Sequence, residues 1–149
     1  MGYFNSMNIS ASALTAQRLR MDIISENIAN ANTTRTSDGG PYRRKTVLFE
    51  EIREQSTFDT IFNSAMGRAS KGTGVRVSRI VEDSSPGMLT YDPAHPDANE
   101  EGYVRMPNVN IVEEMVNMIS ASRSYEANIT AMASFRGMVS KTLELGSGR

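Results

Sequence analysis

The 149-residue chain contains no cysteine and only one histidine, His95. Without cysteine it can form no disulfide framework and no zinc-finger ligand set, and it has no thiol nucleophile. A single histidine also rules out a histidine-rich metal site. The 16 basic and 17 acidic residues leave a net charge of -1, whereas nucleic-acid-binding proteins normally carry a strong basic excess. Nucleic acid is therefore not an expected partner.

Long apolar runs are also absent. Hydrophobic residues make up 39% of the chain and its mean hydropathy is -0.38. No stretch approaches the roughly 20 apolar residues that a membrane-spanning helix needs. The first six residues, MGYFNS, have neither the basic nor the apolar segment of a secretory signal. We therefore expect no direct membrane insertion and no cleavable signal peptide.

Proline is missing from both ends of the chain. All five prolines lie in the middle, at Pro41, Pro86, Pro93, Pro96 and Pro107. Because an interior proline costs a helix about 3 kcal/mol, the two ends are free to be helical and the middle is not. The predicted organisation is an N-terminal helical arm over residues 1–34, a β-rich middle region with loops over residues 35–107, and a C-terminal helical arm over residues 108–146.

In the C-terminal arm, apolar residues recur at alternating spacings of four and three, which is the seam of a coiled coil. These seam residues are Ile111, Met115, Met118, Tyr125, Ile129, Met132, Val139 and Leu143. Ser122 and Arg136 interrupt the seam. Asn110, followed three residues later by Glu113, predicts a helix cap, and Gly137 predicts a bend or a close contact. The arm is predicted to be one helix of about 35 residues, roughly 50 Å long.

The N-terminal arm has the same spacing with less regularity. Its seam residues are Leu14, Met21, Ile24 and Ile28. Gly39-Gly40-Pro41 marks the break that follows the arm. Methionine and isoleucine at this spacing are typical of helix packing rather than of a cofactor site. The seam residues of both arms are therefore predicted to form an assembly seam.

Between the arms the pattern changes to β-branched residues with partial alternation. This pattern predicts strands over residues 42–49 and 75–81, and two shorter strands at residues 88–91 and 103–104. Apolar positions within residues 55–74 favour one or two helical turns. The predicted fold class is α+β, with long N- and C-terminal helices forming a coiled-coil layer and a small β-rich middle region.

The arms are not expected to be stable alone. Ordering a helix of this length costs more conformational entropy than one seam with polar interruptions returns through burial. Our hypothesis is that the arms are loose in the monomer and become ordered when several helices assemble. Far-UV circular dichroism of dilute protein tests this, and a fully helical monomer would contradict it.

Two polar segments were weighed as functional sites. Residues 92–102 combine His95 with carboxylates, but one histidine on a proline-broken loop lacks metal-ligand spacing, so a loop of Asx turns is favoured. The basic run Arg43-Arg44-Lys45 is interpreted as a solvated strand face, with a site for an anionic partner as the alternative. No arrangement of serine, histidine and aspartate suits catalysis. The sequence therefore predicts no catalytic, metal or cofactor-binding residues and no cofactor.

Five ordered segments of the sequence resemble the flagellar rod and hook family. The first is SALTAQRLRMDIISENIANANTT, whose Asn-rich core is Asn27-Ile-Ala-Asn30. GGPYRRKTVLF, YDPAHPDANEEGYVRMPNVN, EMVNMISASRSYEANI and KTLELG follow in order. The third and fourth segments together are similar to one proximal-rod member of that family. Residues 55–71 have no clear counterpart, and the family often has proline where Gly87 stands.

The resemblance implies a structural subunit of the proximal rod of the bacterial flagellar basal body, without catalytic activity. It implies export by the flagellar type III apparatus and a location in the rod, in the periplasmic space. It further implies helical assembly that transmits torque, with the paired arms lining the export channel. The implied partners are other copies of the chain, neighbouring rod proteins, and adapter proteins at the membrane ring and the export gate.

Three alternatives stay open at this point. Another rod protein of the same family would differ in axial position, which a structure of the rod would reveal. An amphipathic adapter that folds on a membrane or receptor would co-sediment with liposomes. An enzyme is the third alternative and has no motif in its favour.

Overall fold

A computed structural model describes residues 3–37, 39–52, 62, 65–66, 74–146 and 148. The chain forms helix α1 (Tyr3–Ala29), strands β1 (Lys45–Glu51), β2 (Val75–Glu82), β3 (Leu89–Tyr91) and β4 (Tyr103–Arg105), and helix α2 (Ile111–Gly146). The α+β prediction, with long helices at both ends and a small antiparallel strand region between them, is confirmed. The helical turns predicted within residues 55–74 fall largely outside the described residues.

Helix α2 begins at the cap that the sequence predicted. The Oδ1 atom of Asn110 accepts hydrogen bonds from the backbone N–H groups of Val112 (3.1 Å) and Glu113 (3.4 Å). The backbone carbonyl of Asn110 accepts from the N–H of Glu114 at 3.0 Å. These bonds satisfy donors of the first turn that have no partner within the helix.

Helix α1 ends at Ala29 through the side chain of Asn30. The Nδ2 atom of Asn30 donates to the carbonyl of Glu26 at 3.0 Å, and its Oδ1 accepts from the hydroxyl of Thr33 at 3.1 Å. The backbone N–H of Thr33 also donates to the carbonyl of Asn30. Asparagine and threonine thus replace the helical hydrogen bonds with a local turn.

Strands β1 and β2 form a two-stranded sheet. The N–H of Asp83 donates to the carbonyl of Arg44 (2.7 Å), and the N–H of Ile52 donates to the carbonyl of Gly74 (2.9 Å). Because the residue numbers fall on one strand as they rise on the other, the pairing is antiparallel. Each bond extends the pairing just beyond the strand ends.

Strand β1 begins at Lys45, three residues later than predicted. The backbone N–H of Tyr42 donates to the carbonyl of Thr33 at 3.0 Å, and that of Arg44 donates to the Oδ1 atom of Asn108 at 2.8 Å. The N–H groups of Tyr42 and Arg44 are therefore held by a loop and a side chain, and only the Arg44 carbonyl continues the pairing with β2.

Strands β3 and β4 form a second antiparallel pair, in which Leu89 is opposite Arg105 and Tyr91 is opposite Tyr103. The rings of Tyr91 and Tyr103 meet edge to face, with centroids 5.3 Å apart. Such pairs add to the stability gained from burial. Next to them, Gly102 has a φ of +79°, a left-handed conformation that favours glycine.

Gly87 lies against the other end of this pair. A Cβ atom at this position would collide with the backbone carbonyl of Met106, while the N–H of Met106 donates to the carbonyl of Met88 at 2.8 Å. The departure from the family pattern at Gly87 therefore coincides with a close backbone approach, where a larger residue requires the backbone to shift.

The chain divides into two compact units. The first unit comprises Met1–Arg18, Phe49–Ser78 and Arg123–Arg149, and the second comprises Leu19–Leu48 and Arg79–Ser122. Most of the buried hydrophobic and charged or amide side chains of the described residues belong to the second unit: Ile23, Ile24, Asn27, Ala31, Tyr42, Val47, Val104, Glu114 and Ala121. Within the described ranges, the buried side chains of the first unit are Ser10 and Ala16.

In the first unit, Ser12 connects helix α1 to the start of strand β2. Its hydroxyl donates to the carbonyl of Ile9 at 2.7 Å and accepts from the N–H of Val75 at 3.1 Å. Gly74 has a φ of +133°, and a Cβ atom there would collide with the Ser12 hydroxyl. Glycine is thus required where the backbone meets the helix.

Candidate assembly site

Asn27 is the centre of a buried hydrogen-bond network in the second unit. Its side chain is only 1% exposed. Its Nδ2 atom donates to the carbonyl of Lys45 and to the Oε2 atom of Glu114, both at 2.8 Å. Its Oδ1 atom accepts from the Tyr42 hydroxyl and from the Lys45 N–H, both at 2.9 Å. Both donors and both acceptor positions of the amide are therefore used.

Glu114, in the first turn of α2, connects this network to Arg44. The Glu114 side chain is 1% exposed, and its Oε1 atom accepts from the Arg44 Nε (2.9 Å) and Nη2 (2.7 Å). Burial alone lowers the pKa of the Arg44 guanidinium, but the hydrogen bonds and charge of Glu114 raise it above its ordinary value. Arg44 therefore stays positively charged and compensates the buried carboxylate.

Lys45 and Tyr42 complete the network. The Lys45 Nζ atom lies 2.6 Å from the Oε1 atom of Glu26 and 5.6 Å from the centre of the Tyr42 ring. Burial, followed by the negative charges of Glu26, Glu82 and Glu114, raises the pKa of the Tyr42 phenol to about 12. Tyr42 therefore remains a hydrogen-bond donor to Asn27 at neutral pH.

We call Asn27, Tyr42, Arg44, Lys45 and Glu114 the polar clasp. It joins the last turns of α1, the residues leading into β1 and the first turn of α2, all within the second unit. Burying polar groups is costly unless every group has a partner, and the contacts of Asn27 meet that condition. The clasp fixes the positions of these three segments and is a structural site.

The basic run Arg43-Arg44-Lys45 is only in part the solvated strand face that the sequence predicted. Arg43 is exposed, but Arg44 and Lys45 are half-buried and paired with Glu114 and Glu26. That interpretation is wrong for Arg44 and Lys45. The reason is that the backbone N–H groups of Arg44 and Lys45 donate to the side-chain amides of half-buried Asn108 and buried Asn27, which turns the segment inward.

The predicted seam residues differ widely in burial. Ile24 is buried in its own unit. The half-buried members are Leu14, Met21, Ile28, Met118, Tyr125, Met132 and Val139. The exposed members are Ile111, Met115, Ile129 and Leu143, with Met115 at 54% and Leu143 at 68%. The exposed members are the seam residues most available to a neighbouring molecule.

Sequence reasoning missed a second row of exposed apolar residues at the start of α2. Val112, Val116 and Ile119 repeat at steps of four and three, beside the seam row that contains Ile111 and Met115, and Val112 is 71% exposed. At 100° per residue the two rows merge into one wide apolar stripe. The missed row has the same spacing as the predicted one, so considering more than one helical face would have found it.

The first unit has an apolar groove of about 630 Å³. Its lining includes Met7 from α1 and Ile129, Met132 and Gly137 from α2. The groove thus contains two members of the predicted seam. Gly137 leaves space here, because a Cβ atom at this position would meet no other described residue within 4 Å beyond the adjoining helix backbone.

The loop over residues 92–102 is built from side-chain turns. Asp92 Oδ1 accepts from the N–H of Ala94 at 3.1 Å, and His95 Nδ1 accepts from the N–H of Asp97 at 3.1 Å. Asp97 Oδ2 in turn accepts from the Thr34 hydroxyl at 2.8 Å. No three potential metal ligands are grouped together within the described ranges.

None of the described helices is long and apolar enough to cross a membrane.

Two family patterns match the chain. The pattern described as flagella basal body rod protein matches residues 7–35, which contain most of α1 and Asn27 of the clasp. The pattern described as flagellar basal body rod FlgEFG protein C-terminal matches residues 100–145, which contain β4 and nearly all of α2. The two matched regions therefore coincide with the ends of the chain, and the clasp connects them.

Several curated proteins are similar over almost their whole length. The chain is 53% identical to the flagellar basal-body rod protein FlgC of Bacillus subtilis (strain 168), covering 96% of this chain and 97% of that protein. It is 49% identical to FlgC of Borreliella burgdorferi, covering 99% and 100%. It is 42% identical to FlgC of Salmonella typhimurium (strain LT2), covering 98% and 99%.

Proposed function

This chain belongs to the FlgC family of flagellar basal-body rod proteins and has a structural role in the rod; from that premise we propose how it assembles. It is located in the basal-body rod, where it assembles with other rod proteins and contributes to motility. We propose that copies of this chain also contact one another, and that the resulting helical array transmits torque without any catalytic step.

The observation that carries this proposal is the exposed apolar stripe of α2. Ile111, Val112, Met115, Val116 and Ile119 are all exposed within the first nine residues of the helix. Contiguous apolar surface of this kind marks a site of protein contact. Neighbouring helices that cover the stripe would remove it from water, and repeated non-closing contacts of this kind generate filaments.

We further propose that the domain organisation predicted from proline placement is the layering of the rod. In this arrangement, the N-terminal arm (residues 1–34) and the C-terminal arm (residues 108–146) form a coiled-coil layer that lines the export channel. The β-rich middle region (residues 35–107) lies outside it. The twelve seam residues form the helix contacts, with the four exposed members facing other subunits and Ile24 packing within its own chain.

The finer partners and location are part of the same proposal. Adapter proteins at the membrane ring and the export gate are the proposed neighbours at the base of the rod. The proposed location is the periplasmic part of the basal body, reached through the flagellar type III apparatus.

Charge placed on the seam tests the assembly proposal. Met115→Glu combined with Ile129→Glu should strongly reduce the amount of this protein in isolated basal bodies. It should also abolish swimming when the variant is the sole source of the protein in the cell. Ala127→Glu is the matched control, because Ala127 is exposed and lies about 200° around the helix from Ile129. Normal incorporation of the double variant would show that the seam assignment is wrong.

A further inference from the structure

A polar crevice of about 350 Å³ lies in the second unit, where Tyr42 of the clasp forms part of its lining. It is bordered by the turn at Gly39 and Gly40, the turn at Ser84 and Ser85, and the end of β4. Its charged lining residues are Arg43 and Arg105, and no carboxylate lines it within the described part of the chain. The described lining therefore carries two positive charges, although the whole chain is slightly acidic.

Arg43 and Arg105 differ from their neighbour Arg44 in having no intramolecular ion pair among the described residues. Both are exposed. Two acids lie beside the crevice without lining it: Asp83, whose Oδ1 accepts from the N–H of the lining residue Ser85 at 2.9 Å, and Glu82, which lines an adjoining hollow together with Arg43 and Lys45. Two guanidinium groups at one crevice are suited to carboxylates, because their planar N–H groups can form paired hydrogen bonds with carboxylate oxygens.

A matching acidic tip lies at the other end of the β3–β4 pair. Glu100 and Glu101 are exposed at the turn before β4, and neither has an ion pair among the described residues. Asn99 holds the turn, because its Oδ1 accepts from the N–H groups of Glu101 (3.1 Å) and Tyr103 (2.8 Å). An ordered tip loses less entropy on binding than a flexible one.

The crevice and the tip lie at opposite ends of the same two strands. Arg105 is paired with Leu89 at the crevice end, whereas Tyr103 is paired with Tyr91 next to the tip. The direction of the strands therefore points the acidic tip away from the basic crevice of the same chain. A second copy of the chain can place its acidic tip at this crevice, and the two copies are then arranged head to tail.

We propose that the Arg43–Arg105 crevice of one subunit binds the Glu100–Glu101 tip of a second copy. The contact uses different surfaces on the two copies, so it does not close into a symmetric dimer and continues from copy to copy. A cavity of about 350 Å³ is at the small end of ligand-pocket sizes, about 300–1000 Å³, which suits a pair of side chains at a turn. This inference rests on the proposed contact between copies in the rod.

Cross-linking tests the geometry, and the chain has no cysteine to interfere. The variant with both Ser84→Cys and Glu101→Cys should form a disulfide-linked ladder of dimers, trimers and larger species in isolated basal bodies. Each single variant should remain monomeric, because a head-to-tail contact brings two different positions together. Dimers formed by a single variant, or cross-links only to another rod protein, would overturn the proposal.

A charge exchange tests the electrostatics. Arg43→Glu with Arg105→Glu should lower incorporation into basal bodies about tenfold or more, since like charges then meet across the contact. Adding Glu100→Arg and Glu101→Arg in the same chain should restore it. Arg79→Glu, at an exposed arginine outside the crevice, is the control and should incorporate normally.

The outcomes separate this inference from the proposed function. If the unsubstituted chain and the Arg79→Glu control enter basal bodies but the four-residue exchange restores nothing, the crevice contact is wrong and the rod role stands. If Met115→Glu combined with Ile129→Glu enters basal bodies normally, the proposed assembly through the seam fails, whatever the crevice variants do. Restoration together with the cross-linked ladder supports both.

Discussion

The two compact units of the chain are stabilised in different ways. The second unit buries the Asn27 amide and the Glu114 carboxylate, which are hydrogen-bonded to each other. Tyr42 and Lys45 bond to the amide, and Arg44 bonds to the carboxylate. The described part of the first unit has the hydrogen bond of Ser12 with Val75 and the exposed ion pair of Arg76 with Glu50, and it contains an open apolar groove. We therefore expect the second unit to be stable within the chain, and we propose that the first gains more from neighbouring molecules.

This difference refines the expectation that both helical arms are loose in the monomer. Each helix has residues in both units, because α1 passes from the first unit to the second after Arg18 and α2 passes from the second to the first at Arg123. We now expect the clasp to order the end of α1 and the start of α2 in the isolated chain. The outer parts of both helices remain the candidates for ordering on assembly.

Glu114→Ala should break the second unit and has the largest expected effect. It leaves the Arg44 guanidinium half-buried without its carboxylate and removes a partner of the Asn27 amide. We expect the free energy of unfolding to fall by about 3–5 kcal/mol. Urea denaturation followed by circular dichroism measures the change.

Glu113→Ala is the matched control for that experiment. The Glu113 carboxylate also lies near Arg44, at 3.6 Å, but its side chain is 61% exposed. An exposed ion pair contributes at most about 1 kcal/mol. Equal losses from the two variants would show that the buried position of Glu114 has no special importance.

Asn27→Ala should also destabilise the second unit, by about 2–3 kcal/mol. The buried Tyr42 hydroxyl and the part-buried backbone groups of Lys45 would lose their partner, and each unsatisfied group is costly. Asn32→Ala is the control, since Asn32 is exposed and close by in sequence. Thermal and urea unfolding measure both variants, and a loss no larger than that of the control would contradict the central position assigned to Asn27.

Alkaline pH should weaken the second unit through Tyr42. The pKa of the phenol is about 12 in the folded chain and near 10 when unfolded, so its contribution is complete below pH 10 and is lost as the pH rises from 10 to 12. The expected loss is up to about 2 kcal/mol. Unfolding measured across this range should show a steeper decline for the unsubstituted chain than for Tyr42→Phe. Parallel declines would exclude Tyr42 as the cause.

Gly137→Ala tests the first unit and has the smallest expected effect on the free energy of unfolding. Alanine should stabilise α2 by about 0.5–1 kcal/mol, because its methyl group would meet no atom within 4 Å among the described residues beyond the adjoining helix backbone. The helical signal and the melting temperature of the isolated chain measure this gain. If incorporation into basal bodies then falls, Gly137 is a close-contact position in the assembled rod.

Gly74→Ala is the opposite case in the same unit. The added Cβ atom would collide with Ser12, and the backbone has a positive φ, so this variant should be destabilised. A gain in stability from Gly74→Ala, or a loss from Gly137→Ala, would contradict the packing described for these two glycines.

The fold was predictable because its signals are local. Proline placement separates the helical ends from the middle, Asn110 caps α2, and β-branched runs produce the strands. The polar clasp was not predictable in the same way, since Asn27 and Glu114 are 87 residues apart. In sequence, Glu114 is one more acid in a first helical turn, and Arg44 is one charge in a basic run.

The seam was predicted as a pattern, but its burial was not. Heptad spacing identifies residues on one helical face without saying whether that face is covered by the same chain. Ile24 is covered by its own unit, whereas Leu143 is exposed. Choosing a single face also hid Val112 and Val116, which lie beside the predicted row. Only the three-dimensional arrangement separates these cases.

The long separation of Asn27 and Glu114 has a consequence for the order of folding. When the chain is made or threaded with its N-terminus first, Asn27 becomes available well before Glu114. The clasp therefore stays incomplete until more than three quarters of the sequence is available. Contacts between distant residues also form slowly, because a long loop must close first. The clasp therefore forms late in folding, and a chain that is only partly available lacks its most buried polar contact.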